Sequence, residues 1–306
     1  MARGVLSFPL TAFHDDGTLD PDGFRAHAAG QLAAGSGALF PACGTGEFFS
    51  LDEDEYRTVV TVAVEEAARG AGTRAGDAVP VVAGTGYGWA QAARFARIAE
   101  EAGADALLVL PHYLVDAPQD GLAAQLEQLA ARTRLPLIAY QRGQVAYGVD
   151  ALRRIARVPG VIGLKDGHSD LDRLQRLTLA APEGFLFFNG AATAEIQARA
   201  YAAVGVPAYS SAVHAFAPEI AGAFRTALGE GDHAAVDALL RGFYVPFVEL
   251  RDRAPGYAVS LVKAAARLRG RRVGPVRAPL TDPAPADLAA LKALLTTGLD
   301  LVGASL

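Results

Sequence analysis

Short, almost wholly apolar runs alternate along the chain with longer stretches in which apolar residues recur every three or four positions. The runs are Val5–Phe8, Ala38–Phe40, Val79–Ala83, Ala106–Leu110, Pro136–Ala139, Val161–Leu164, Phe185–Phe188 and Ala208–Ser210. Their lack of polar alternation is the pattern of parallel strands covered on both faces. The stretches between them read as amphipathic helices. Asp20-Pro21 is an N-cap followed by proline at the first helical position, where its missing N–H matters least. Ser50-Leu51-Asp52-Glu53 has capping-box spacing ahead of Tyr56, Val59, Val60 and Ala63. Phe95, Ile98, Ala99 and Ala102 share one face, as do Leu122, Leu126 and Leu129, and Leu171, Leu174 and Leu177. Thr193 is a candidate cap for a helix through Ala200.

Eight strand-then-helix units in succession predict an α/β fold, a (β/α)8 TIM barrel. A doubly wound open sheet is the rival, and it favours a glycine-rich phosphate turn after the first strand. Here that strand leads into Pro9-Leu10-Thr11-Ala12-Phe13, and no G-x-G-x-x-G occurs. After about Phe224 the strand pattern stops, and helical segments follow around Asp232–Glu249, Tyr257–Arg269 and Pro285–Thr297. The expected organisation is a barrel over 1–224 with a C-terminal helical extension over 225–306.

Composition narrows the function classes. With 51% hydrophobic and 20% charged residues in a chain of 306, a large core is available and disorder is not expected. A net charge of -5 argues against nucleic acid as a partner. The single cysteine, Cys43, excludes an internal disulfide and a thiolate zinc cluster. The histidines show no ligand spacing, so no metal is expected. The first residues lack the apolar segment of a secretory leader. The longest stretch without an ionised residue, Ala200–Pro218, is broken by Gly205 and Pro207. A cytoplasmic protein without a membrane partner is the expectation.

Barrel enzymes place their chemistry at the C-terminal ends of the strands. Gly44-Thr45-Gly46-Glu47 follows the second strand; its amides and the Thr45 hydroxyl could hold a carboxylate, or the segment is an ordinary turn in which Glu47 complements a helix dipole. Gly84-Thr85-Gly86-Tyr87-Gly88 lacks the ending of a phosphate loop and reads as a turn, with lining of the site as the alternative. Lysine occurs only at 165, 263 and 292. Lys263 and Lys292 lie in helical patterns and are expected on the surface. Lys165 ends an apolar run, where burial would depress its pKa and free the amine for Schiff-base chemistry; turning outward or pairing with Asp166 are the alternatives. Neighbouring strands lie about 4.8 Å apart, which would set Tyr140 beside Lys165 at the barrel mouth.

Gly44-Thr45-Gly46-Glu47, Tyr140-Gln141-Arg142 and Gly163-Leu164-Lys165-Asp166-Gly167, in order at the ends of strands two, five and six, resemble the dihydrodipicolinate synthase / N-acetylneuraminate lyase superfamily of Schiff-base barrels. Gly44-Thr45-Gly46-Glu47-Phe48-Phe49-Ser50, Lys165-Asp166-Gly167-His168, Asn189-Gly190 and Tyr209-Ser210-Ser211-Ala212-Val213 are most similar to its branch that dehydrates and decarboxylates 5-dehydro-4-deoxyglucarate. Synthases of the superfamily usually carry a second hydroxyl residue where this chain has Gly44, which leaves room for a longer, more polar substrate. Gln141, His112, His214-Ala215 and Ala191-Ala192 depart from the branch's usual residues.

The resemblance implies conversion of a keto-deoxy sugar diacid to 2,5-dioxopentanoate, carbon dioxide and water without a cofactor. It assigns the imine to Lys165 and proton transfer to Tyr140. Gly44, Thr45 and Gly46 would receive the carboxylate beside the keto group and Arg142 the other carboxylate, with Asn189 and Ser210 on substrate hydroxyls. A homotetramer or homodimer is implied too. Two other functions fit the same residues: an aldolase or lyase acting on another 2-keto-3-deoxy sugar acid, and a non-catalytic keto-acid-binding paralogue.

Overall fold

The computed structural model describes residues 5–71 and 78–306. Eight parallel strands form the centre: β1 (Val5–Ser7), β2 (Ser36–Leu39), β3 (Val82–Gly86), β4 (Ala106–Leu110), β5 (Leu137–Gln141), β6 (Val161–Asp166), β7 (Leu186–Asn189) and β8 (Ser210–Ser211). Strands β2, β1 and β8 make one ladder and β3 through β7 another. Single parallel bridges, Leu39 to Val81 and Asn189 to Tyr209, join the two ladders and close the sheet. Closure leaves no strand edge exposed, and this accounts for strands that are buried nearly end to end.

The outer helices are α1 (Pro21–Ala33), α2 (Glu53–Ala71), α3 (Trp89–Glu101), α4 (Gln119–Ala130), α5 (Val149–Ile155), α6 (Leu171–Ala180), α7 (Ala198–Ala203) and α8 (Pro218–Glu230). Asp20 caps α1 by accepting from the Gly23 amide, with Pro21 in the first turn. The capping box of α2 lies two residues beyond the expected Ser50/Glu53 pair. Asp52 accepts from the Glu55 amide at 2.8 Å and Glu55 accepts from the Asp52 amide at 3.2 Å. Ser50 instead closes a 3-10 turn over Phe48–Ser50, donating to the Glu47 carbonyl. Thr193 makes no cap either, since its hydroxyl is turned to Arg251.

The segment Gly84-Thr85-Gly86 is strand rather than turn. Glycine is needed there because neighbouring backbone crowds in. A Cβ on Gly84 would lie 2.0 Å from the Ala42 carbonyl oxygen, and one on Gly86, at φ +143°, 2.4 Å from that of Leu110.

Four further helices follow the barrel: α9 (His233–Leu239), α10 (Val245–Arg251), α11 (Tyr257–Leu268) and α12 (Pro285–Asp300), with a π turn over Leu240–Tyr244 between the first two. They are not held apart from the barrel. Phe224 of α8, Phe216 and Leu10 share one apolar core with Phe243, Phe247, Leu261, Leu291 and Leu295. Lys263 corrects the surface expectation, because it has no solvent exposure. Helix α11 is buried over Leu261–Ala266 on successive positions rather than on one stripe. A lysine inside such a run needs a partner, and Glu47 supplies it at 2.7 Å. Lys292 is exposed as expected.

Candidate active site

A cavity of about 490 Å³ opens at the C-terminal end of the barrel. Its volume suits a small organic ligand. Every strand contributes at or just beyond its end, from Phe8 after β1 to Ser210 in β8, and Ala258 and Val259 of α11 complete the wall. Lys165 and Arg142 bring positive charge, and among the described residues no carboxylate lines the space. The electrostatics therefore favour an anion.

Strain collects around this mouth. The non-glycine residues with positive φ among those described are Ala42 (50°), Glu47 (55°), Tyr87 (64°), Leu114 (66°) and Ser169 (64°). All five lie in the segments that follow β2, β3, β4 and β6. Left-handed backbone costs a residue with a Cβ energy that only surrounding contacts can sustain, and such outliers cluster at functional sites.

Lys165 is 6% exposed and sits at the centre. Its Nζ lies 4.0 Å from the ring centroid of Phe8, 4.5 Å from that of Tyr140 and 5.7 Å from that of Phe188. Burial is the main cause that lowers its pKa, with the Arg142 charge acting the same way. The Tyr140 and Cys43 side chains oppose the shift. No acid pairs with it among the described residues. Asp166, the adjacent residue, projects to the opposite face because side chains alternate along a strand. There it accepts from Gln141 Nε2 at 2.6 Å, from the Ser169 amide at 3.2 Å and from the Tyr201 hydroxyl. The aspartate thus fixes the end of β6 while leaving the amine unpaired.

Tyr140 and Lys165 are direct partners in the β5–β6 register. The Tyr140 hydroxyl accepts from Arg142 Nη1 at 3.2 Å and is 3.4 Å from the Gly190 carbonyl, a long contact. Gly190 is dictated by the lysine, because a Cβ there would stand 2.3 Å from Lys165 Cε. Gly190→Ala is therefore expected to push the amine out of place. A misplacement of about 1 Å costs on the order of 10²-fold, so carbonyl-dependent borohydride labelling of Lys165 should slow by about that factor in protein with native circular dichroism.

Of the other expected contacts, Gly44, Thr45, Arg142 and Ser210 line the cavity, whereas Gly46 and Asn189 do not. Gly46 is covered by Pro9 and Ala42, and its carbonyl accepts from Thr11. The Asn189 amide is used up locally, donating to the Ala194 carbonyl and accepting from the Ala191 amide. Gln141 is buried and braces the end of β5, since its Oε1 accepts from the Tyr147 amide at 3.0 Å. His168 donates from Nε2 to the Val145 carbonyl at 2.8 Å, and His214 is buried against Ser7, off the cavity. Tyr87, from the glycine-rich segment after β3, lines the wall too, as do three residues that the sequence did not single out: Tyr113, Ala258 and Val259. The sequence predicts the helix that carries the last two, but it lies far from the barrel strands in sequence and no local pattern places it at the cavity.

Comparisons with known proteins find relatives that cover nearly the whole chain. A probable 5-dehydro-4-deoxyglucarate dehydratase of Streptomyces avermitilis is 82% identical over 306 residues, covering 100% of this chain and 90% of that protein. A probable enzyme of the same name from Streptomyces coelicolor is 78% identical, with 100% and 92% covered. The solved 4-hydroxy-tetrahydrodipicolinate synthase of Methylacidiphilum fumariolicum SolV superposes with a TM-score of 0.86 at 23% identity, covering 99% of this chain and 98% of that one, which speaks for the barrel fold alone. Residues 1–297 match the dihydrodipicolinate synthetase family, and the chain belongs to it.

Proposed function

We propose that this protein is a lyase, a 5-dehydro-4-deoxyglucarate dehydratase, working through an imine on Lys165. The observation that carries the reading is the amine itself: buried, directly beside a phenol, and, among the described residues, without an acid partner and open to a cavity lined by no carboxylate. Desolvation keeps a share of that amine neutral, and the neutral form is the nucleophile.

Lys165 Nζ adds to the keto carbon next to one carboxylate, and water leaves as the imine forms. The protonated imine withdraws electrons, so the adjacent methylene gives up a proton. The enamine expels the β-hydroxyl as water and becomes a conjugated imine. Electrons from the bond to the far carboxylate flow into that system, and carbon dioxide departs. Reprotonation and hydrolysis free the amine and release 2,5-dioxopentanoate. Tyr140 carries protons for imine formation and elimination. Thr45, beside the open space at Gly44, receives the near carboxylate, and Arg142 at the rim receives the far one. Ser210 faces the substrate hydroxyls. Asn189 and Gly46 hold the loops behind these contacts. The same reading carries a homo-oligomer, to be measured by sedimentation.

The test is incubation with 5-dehydro-4-deoxyglucarate and borohydride, followed by peptide mass analysis. A reduced adduct on Lys165 together with release of carbon dioxide is expected. Pyruvate as a product would replace the dehydratase with an aldolase. An adduct without turnover would point to a binding protein.

A further inference from the structure

The ion pair between Glu47 and Lys263 takes no part in the chemistry above. Both side chains have no solvent exposure, and Lys263 Nζ lies 2.7 Å from Glu47 Oε1. Stability is a weak account of it, because replacing a buried ion pair by well-packed hydrophobic residues of similar volume is often neutral or stabilising. Its two ends belong to segments that supply two walls of the cavity, through Gly44 and Thr45 on one side and Ala258 and Val259 on the other. Glu47 directly follows Gly44-Thr45-Gly46 and is held at φ +55°, its amide donating to the Gly44 carbonyl. Lys263 sits in α11, a little more than one turn beyond the wall residues Ala258 and Val259.

A second strap from the same extension grips the same loop. The Arg277 amide donates to Glu47 Oε2 at 2.9 Å, and its guanidinium donates to the carbonyls of Ser50 and Gly17 and to Glu55. The Phe13 ring centroid lies 4.1 Å from Lys263 Nζ and 4.0 Å from Arg277 Cζ, so one ring meets both cations. Every hydrogen-bonding atom of the Glu47 carboxylate is thus taken by the C-terminal extension, while its backbone shapes the turn that presents Thr45.

We infer that the Glu47–Lys263 pair is a positioning clasp, through which α11 sets the turn that receives the carboxylate beside the reacting carbonyl. The inference rests on the Schiff-base reading above. Lys263 and Glu47 are positioning residues, since neither lines the cavity.

The experiment compares two carbonyl probes, pyruvate and acetaldehyde, trapped on Lys165 with cyanoborohydride and quantified on the Lys165 peptide. In each case the amine adds to the carbonyl carbon, water leaves, and hydride from the reductant fixes the imine as a secondary amine. Only pyruvate has a carboxylate to place. For the double variant Glu47→Gln/Lys263→Met, the pyruvate-to-acetaldehyde rate ratio should fall by about tenfold or more, with the acetaldehyde rate within about twofold of the parent, as loss of orientation alone requires. A merely structural pair would slow both probes together or neither, and an unchanged ratio overturns the inference.

Arg277→Gln, at a partly exposed side chain, loosens the strap without emptying the buried site. It should lower the ratio in the same direction by a smaller factor. If the double variant does not fold, an unchanged ratio in Arg277→Gln overturns the clasp by itself. Failure of the parent protein to label with either probe would instead sink the Schiff-base reading and the clasp with it.

Discussion

Lys165→Ala is expected to abolish carbon dioxide release from 5-dehydro-4-deoxyglucarate and to remove the borohydride adduct entirely. No second amine can take over. Of the other lysines, Lys263 is locked against Glu47 and Lys292 is exposed on α12. Folding should survive, because the substitution removes a desolvated amine that has no acid partner among the described residues and faces a cavity rather than packed core. The same reasoning fixes a pH dependence. The reactive species is the neutral amine, so trapping in the parent should accelerate as pH rises. It should level off through a midpoint below the ordinary lysine range, since burial lowers the pKa. Trapping that stayed flat with pH, or activity persisting in Lys165→Ala, would remove the mechanism.

Tyr140→Phe should slow turnover by about 10²–10⁴-fold, the usual contribution of a positioned acid–base group. The ring that packs 4.5 Å from Lys165 Nζ is retained, so the amine keeps its place and KM should change little. Arg142 loses an acceptor, but it stands exposed at the rim and regains water. The discriminating measurement is steady-state kinetics with carbon dioxide detection. A large rise in KM with kcat preserved would make Tyr140 a binding residue and not a proton carrier.

Much of the candidate site's geometry was legible because strand ends are local. An apolar run followed by Lys165, and another followed by Tyr140, place two side chains at one end of a barrel once the parallel order is known. The register then pairs them directly. Gly84 and Gly86 misled as turn residues, since glycine has the same signature in a bend and in a strand crowded by neighbouring backbone. Asn189 misled in the other direction. A buried amide near a site has the same sequence signature whether it meets a ligand or braces a loop, and here both of its ends go to backbone.

The chain alone determined the eight strand–helix units, the closed α/β architecture, and the lysine and tyrosine at adjoining strand ends, because periodicity and strand alternation act over a few residues. Only the tertiary structure decided that Lys263 is buried on Glu47, 216 positions away, and that α11 supplies part of the cavity wall. Those contacts join segments whose local sequences are compatible with a solvent-facing helix or a plain turn. Desolvation, which makes a partner necessary for one buried charge and leaves another reactive, arises only when distant parts of the chain close over them.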